Sequence, residues 1–433
     1  MNVVFISPNF PLYYYNFCKN LKIRGVNVLG IGDAPYESLP QHTIDSVTEY
    51  YKVGSLENFY EVEEACRFFN QKYGKLDWIE SQNEYWLETE ATLRKIFGVN
   101  SGTKIDDMAP MKYKSKMKDV YKSCNIPVAR YILISTYENA INFTREVGYP
   151  VVVKPDNGVG ASSTYKLEND DELSYFFATK DNNTTYIMEE FINGHVETFD
   201  GITDSNKNVL ISASHVMLHS IMDTVNTGSD TAFYFQPFEG KDIEFIGKKV
   251  VKAFDTRSRY FHFEFFRLEE DKEGLGKKGD LVGLEVNMRA PGAYIPDMIN
   301  YAYDVDTYAL WSDVLIYDKI FVDVNRKYVV GYASRRNGID YTHSYEEIKN
   351  KYKDKIKIYT EVPEALAAAM GNHVFIFRTE KEKELIEFQE MNYQEKKDIV
   401  ANEDDIVEIS NIQEDNASGT VGYTAGCISG NGY

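Results

Sequence analysis

The run Glu285-Val286-Asn287-Met288-Arg289-Ala290-Pro291-Gly292 constrains the fold more than any other stretch of this chain. Its polar side chains recur at every second position, with Val286 and Met288 between them. That is the spacing of a strand that sends Glu285, Asn287 and Arg289 to one face. A carboxylate beside a neutral oxygen donor suits Mg²⁺, and a guanidinium two residues on can hold a phosphoryl oxygen. A solvated strand edge would show the same alternation, so the run acquires meaning only from what accompanies it.

The chain has 433 residues, 43% of them hydrophobic, enough for two or three packed domains. Its formal net charge of -20 opposes general affinity for nucleic acid or an anionic membrane, since both require a positive field. No apolar run approaches membrane-spanning length, and residues 1–6 lack the basic start and long apolar core of a secretory signal. Cys18, Cys66, Cys124 and Cys427 lie far apart without CxxC spacing. They read as reduced thiols of a cytoplasmic protein, with no zinc site.

Residues 1–110 open with strand, turn, helix and strand, a small parallel α/β unit. A short strand at 76–79 runs into Glu80-Ser-Gln-Asn83-Glu84. At the carboxyl end of a parallel strand Asn83 and Glu84 can face a substrate, although capping the next helix is the commoner role. A helix over 111–124 carries Lys112, Lys114, Lys116, Lys118 and Lys122, most of them expected on a solvated face. The segment 218–235 is expected to be a loop, 260–268 and 281–288 a hairpin, and 296–317 a helix. Residues 326–393 read as a small α/β appendage. The acidic stretch 394–433 reads as a mobile tail, because it cannot bury enough to offset its ordering entropy.

Three further pieces carry chemistry. Lys154 sits in a strand of valines that runs into the glycine-rich turn 158–163, where Gly158, Gly160 and Ser162 can bring backbone N–H groups close to phosphate oxygens. The turn lacks the endings of a P-loop or a dinucleotide fingerprint, and Lys154 must find a partner or snorkel from the strand end. Met188-Glu189-Glu190-Phe191-Ile192, followed by Glu197, can offer a carbonyl and an N–H to an adenine edge and a carboxylate to ribose hydroxyls. Glu264 lies among the aromatics of Phe261-His-Phe-Glu-Phe-Phe266 and needs a cation; across a hairpin from Glu285 it could share Mg²⁺. His215 and His219 fit substrate lining or plain packing better than metal ligation.

Taken in order, Gly148-Tyr-Pro-Val-Val-Val-Lys154-Pro155, Met188-Glu189-Glu190-Phe191-Ile192, Phe263-Glu264-Phe265 and Glu285-Val-Asn287-Met-Arg289 resemble the ATP-grasp superfamily, in its carboxylate–amine ligase and biotin carboxylase-like branches. The resemblance covers residues 1–325. It implies a mixed α/β and α+β chain: a Rossmann-like domain over 1–110, then a two-lobed ATP-grasp domain over 111–325 with a lid lobe at about 130–192. Lys114 and Lys154 match the nucleotide lysines, and 158–163 the lid over the phosphates. Glu190 through its carbonyl and Ile192 through its N–H match the adenine readers, with Glu189 beside the base and Glu197 on the ribose. Glu264, Glu285 and Asn287 match ligands of Mg²⁺ (or Mn²⁺), and Arg289 the group that steadies the transferred phosphoryl. The segment Ser212-Ala-Ser-His215-Val-Met-Leu-His219-Ser departs from the basic run of biotin carboxylases, which argues against bicarbonate and biotin chemistry.

The expected activity is therefore an ATP-dependent carboxylate–amine ligase of amino-acid or peptide type, with Arg289 and Lys154 as catalytic groups. It would pass through an acyl phosphate and release ADP and phosphate. Its expected partners are small-molecule carboxylate and amine substrates, a homodimer being one oligomeric option. Substrate is expected between Asn83-Glu84, the 215–235 loop and 291–297, where Asp297 orients the amine or caps a helix. The alternatives are a bicarbonate-activating or purine-pathway ATP-grasp enzyme and a non-catalytic nucleotide-binding protein.

Overall fold

A computed structural model describes residues 1–158, 163–217 and 228–395, arranged on three sheets. The first is parallel, in the order β3-β2-β1-β4, from β1 (Asn2–Ile6), β2 (Asn27–Gly32), β3 (Glu49–Lys52) and β4 (Trp78–Glu80). Every residue of β1 is buried, because alternate side chains serve opposite layers. Val3 and Phe5 pack with Phe17 and Leu21 of the helix Tyr15–Ile23, whereas Val4 and Ile6 pack with Val62 and Phe69 of the helix Phe59–Tyr73. This is the Rossmann-like unit expected of the N-terminus.

The second sheet is antiparallel and small: β5 (Tyr131–Leu133), β6 (Val151–Pro155), β7 (Tyr165–Leu167) and β8 (Tyr186–Glu190), ordered β5-β8-β6-β7. Helices Tyr137–Val147 and Asp170–Thr179 close a core on it with Val151, Val153 and Met188. Strand alternation puts Lys154 and Glu189 on the other face.

Nine strands form the third sheet: β9 (Gly194–Thr203), β10 (Val209–Ala213), β11 (His215–Met217), β12 (Ala232–Phe235), β13 (Tyr260–Leu268), β14 (Leu281–Asn287), β15 (Val329–Arg335), β16 (Ile356–Glu361) and β17 (His373–Thr379). The order is β14-β13-β9-β11-β12-β15-β17-β16, with β10 also paired to β9. The β13–β14 hairpin forms as expected. Residues 326–393, read as an appendage, continue this sheet through β15, β17 and β16.

Two local expectations change. The segment 218–235 ends in a strand, because β12 finds β11 on one side and β15 on the other, partners remote enough to be invisible locally. The stretch 296–317 forms two helices, Ile295–Tyr303 and Thr307–Tyr317; Asp304 adopts a left-handed conformation and Asp306 caps the second by accepting from Ala309 N at 3.1 Å. Gly160, Ser162, His219 and residues 396–433 lie outside the described residues. No helix among the described residues is long and apolar enough to cross a membrane.

Candidate active site

The helix Lys114–Ser123 joins the second and third sheets. At its start Asp156, just beyond β6, accepts from Ser115 N and Ser115 Oγ, both at 2.8 Å, and its carbonyl accepts from Lys114 N at 2.8 Å. A carboxylate at that helix end also faces the positive end of its dipole. Farther along, the Tyr121 ring packs on Gly283 of β14, where a Cβ would come within 2.7 Å of it. The Tyr121 hydroxyl donates to the Glu285 carbonyl at 3.2 Å. Glycine is thus required for close approach, and that approach sets the lysines over the acidic strand.

Those lysines correct the expectation of a solvated face. Lys112, Lys114 and Lys118 are buried, Lys118 completely, and the four-residue spacing of Lys114 and Lys118 puts both on the inner face. Lys114 Nζ donates to the Gly158 carbonyl at 2.8 Å and meets Glu285 Oε1 at 3.2 Å. Lys118 and Lys154 each lie 3.3 Å from Glu189 Oε1. Lys118 Nζ and Glu189 Oε1 are nevertheless buried without a well-aligned hydrogen bond. Burial pulls the Lys118 ammonium down despite Glu189. Burial also acts against the charged form of Glu189, but Lys118 and Lys154 outweigh it and hold the carboxyl below its usual range.

The hairpin sets Glu264 directly opposite Glu285 and His262 opposite Asn287. Burial raises the Glu285 carboxyl; Lys114 pulls it down, while Glu84 and Glu264 push it further up. Glu264 stays below its usual range because His262 Nε2, 3.0 Å from its Oε1, outweighs burial. His262 Nδ1 lies 2.5 Å from Asp200 Oδ1, and the other Asp200 oxygen lies 2.9 Å from His215 Nδ1. Burial opposes a charge on His262, yet Asp200 raises its pKa to about 10.

Among the described residues no three His, Cys, Asp or Glu side chains form a metal-binding group. The donor set is instead two opposed carboxylates and the Asn287 carboxamide, all hard oxygens. Such a set fits Mg²⁺ or Mn²⁺, and the mutual repulsion felt by Glu285 is what a divalent cation would relieve.

The Rossmann-like unit contributes through the residues after β4. Arg289 Nη2 donates to Glu84 Oε2 at 3.0 Å, and Ala290 N donates to Gln82 Oε1 at 3.0 Å. Burial works against the Arg289 charge, but Glu84 and Tyr14 raise its pKa. Lys112 Nζ donates to the Glu84 carbonyl at 3.3 Å.

The remaining expected residues divide. Asn83 is a cap: its Oδ1 accepts from Tyr85 N at 3.0 Å. Glu190 ends β8 with its carboxylate on Arg130, 2.7 Å from Nη2 and from the backbone N, and Ile192 follows directly. Glu197 already holds Arg267, at 2.7 and 3.0 Å. His215, expected to line substrate, is 2% exposed and backs the acidic strands through Asp200 and Thr198. Asp297 is half-buried and accepts from the Tyr308 hydroxyl at 2.9 Å. Sequence reasoning passed over Lys118, Gln82, Asp200 and His262. Two had a local signal: Lys118 stands one turn from Lys114, and His262 shares a strand face with Glu264.

The parallel unit is thus followed by two sheets joined through buried lysines and opposed carboxylates. Residues 112–261 match the family model described as the ATP-grasp domain. It is 26% identical over 278 residues to the L-arginine-specific L-amino acid ligase of Bacillus subtilis, covering 62% of this chain and 65% of that one. This chain therefore spans a little under two thirds of that relative's length. Among solved structures, an L-amino acid ligase from Bacillus licheniformis superposes with a TM-score of 0.67 at 14% identity, covering 90% of this chain and 95% of the other. Biotin carboxylase from Campylobacter jejuni gives 0.62 at 16% identity, with 90% of each chain covered. At these identities the likeness concerns the fold.

Proposed function

We propose that the protein is an ATP- and Mg²⁺-dependent ligase that joins the carboxylate of an amino acid or similar small acid to an amine. The observation that carries this reading is the meeting of Lys114, Lys118, Lys154, Glu189, Glu264, Glu285 and Arg289 in one continuous network, from positions up to 175 residues apart. Groups so distant have no local reason to converge. The named ligase relative in Bacillus subtilis supports the amino-acid class over bicarbonate chemistry.

Lys114, Lys118 and Lys154 neutralise phosphate charge, and Lys118, poorly paired at rest, gains a partner when phosphate arrives. Glu264, Glu285 and Asn287 would hold Mg²⁺, which would offset phosphate charge. Arg289, tethered by Glu84, would hold the substrate carboxylate, whose oxygen attacks the γ-phosphorus as ADP leaves, and then steady the acyl phosphate so formed. An amine displaces phosphate from that acyl phosphate, forming the amide.

The test is phosphate and ADP release with Mg-ATP across a matrix of amino acids and small carboxylates, with product mass read directly. ADP release that needs two amino acids and yields a dipeptide mass supports the reading. Release that depends only on bicarbonate or a ribonucleotide transfers the chain to the other ATP-grasp chemistries.

A further inference from the structure

Asp297 is a carboxylate that no step above uses. Asp297 opens the helix Ile295–Tyr303, half-buried, and its one hydrogen-bond donor side chain is the buried Tyr308. Among the described residues no Lys, Arg or His lies within ion-pair distance of it. Burial, with Asp306 adding repulsion, raises its carboxyl to about 6.

Tyrosines lie near this carboxylate, Tyr294 three residues before it and Tyr301 four after it. Tyr13 and Tyr294 lie with centroids 5.0 Å apart, and Tyr301 follows Asp297 by one helical turn. All three keep part of their surface accessible, and each feels the Asp297 charge. Holding Tyr294 there requires left-handed conformations at two consecutive non-glycine residues, Ala293 at φ +52° and Tyr294 at +60°. Such backbone is costly and persists where the surroundings enforce it, commonly around a ligand.

A carboxylate without a cation, with tyrosines nearby, is the receptor geometry for an organic cation. Position selects which cation. Glu84 is already paired with Arg289. Asp297 has no such cation among the described residues, and Tyr13 senses both it and Arg289. We infer that Asp297, Tyr13, Tyr294 and Tyr301 form a pocket for the positively charged side chain, guanidinium or ammonium, of a basic amino-acid substrate. This rests on the ligase reading and narrows its substrate.

Two measurements on the full chain separate the claims. In calorimetric titration, L-arginine and L-lysine should bind at least about 30-fold more tightly than their uncharged counterparts L-citrulline and L-norleucine. Asp297→Asn, which keeps the Tyr308 contact, should remove that preference while changing neutral ligands less than about threefold. Tyr13→Leu should weaken the cationic ligands alone by about three- to tenfold. Equal affinities for charged and neutral ligands in the wild type, failure of L-arginine and L-lysine to bind, or a uniform loss in Asp297→Asn would each overturn the pocket. ADP release with the same amino acids tests the ligase reading separately: charge-selective binding without turnover would sink that reading and leave the pocket standing.

Discussion

Two buried ionic clusters flank the end of β4, and they are built to opposite ends. In the first, Arg94 donates to the carbonyls of Ile79 and Thr103 and to Glu80 and Glu90, the two carboxylates at 2.9 Å. Arg259 adds a second guanidinium, 3.3 Å from Glu80. Basic and acidic groups match in number, and Arg259 Nε is its only buried side-chain atom without a partner. Even so, burial pushes the Glu90 carboxyl up to about 8 against the pull of Arg94. In the second cluster, Lys112, Lys114, Lys118, Lys154 and Arg289 outnumber Glu84, Glu189, Glu264 and Glu285, and both Lys118 and Glu189 keep an unbonded atom. A closed cluster fastens the Rossmann-like unit to β13. The open one carries surplus positive charge, which is what an incoming polyphosphate needs.

The contrast is broken most severely at Arg94. Arg94→Met leaves Glu90 without its ion-pair partner and Glu80 with Arg259 alone, and should cost about 3–5 kcal/mol of unfolding free energy, read from urea denaturation, because breaking a buried ion pair from one side is worse than having none. Glu285→Ala should do the reverse. Turnover should fall by about 10²–10³-fold or more, while the urea midpoint stays near that of the wild type, since the raised carboxyl contributes no stability to lose. A midpoint collapse would show that Glu285 belongs with the fastening cluster.

Asp297 supplies a pH signature. Its folded pKa of about 6 lies above the ordinary carboxylate value, so the folded state binds the proton more tightly than the unfolded chain. Its contribution is present below about pH 4 and is lost as pH rises through 6, on the order of 2 kcal/mol. Asp297→Asn should flatten the stability profile over that window, measured by thermal unfolding in matched buffers. The smallest effect is expected at Lys118→Met: KM for ATP should rise about tenfold with unfolding free energy unchanged or up by about 1 kcal/mol, because an unsatisfied buried ammonium is exchanged for packing. A stability loss there instead would erase the distinction between the clusters.

Much of the candidate site was legible because strands write their faces in alternate residues. Glu285 and Asn287 share a face by that rule, and the turn at 269–280 brought Glu264 opposite Glu285 as expected. The charged helix was misread because counting lysines ignores which face the helix buries; only contact with β14 through Gly283 and Tyr121 decided that Lys114 and Lys118 turn inward. Glu197 looked like a free acceptor until Arg267, 70 residues away, was found holding it.

Local order in the chain determined the elements and the chemical character of each motif: the buried parallel strand, the valine strand with its single lysine, the acidic hairpin. Tertiary structure decided the partners. Whether His215 lines a pocket or supports Asp200, whether β12 forms, and whether Asp297 meets a cation or a tyrosine hydroxyl depend on residues that are not neighbours in sequence. Periodicity is a property of neighbours in sequence, whereas charge pairing and burial are properties of neighbours in space.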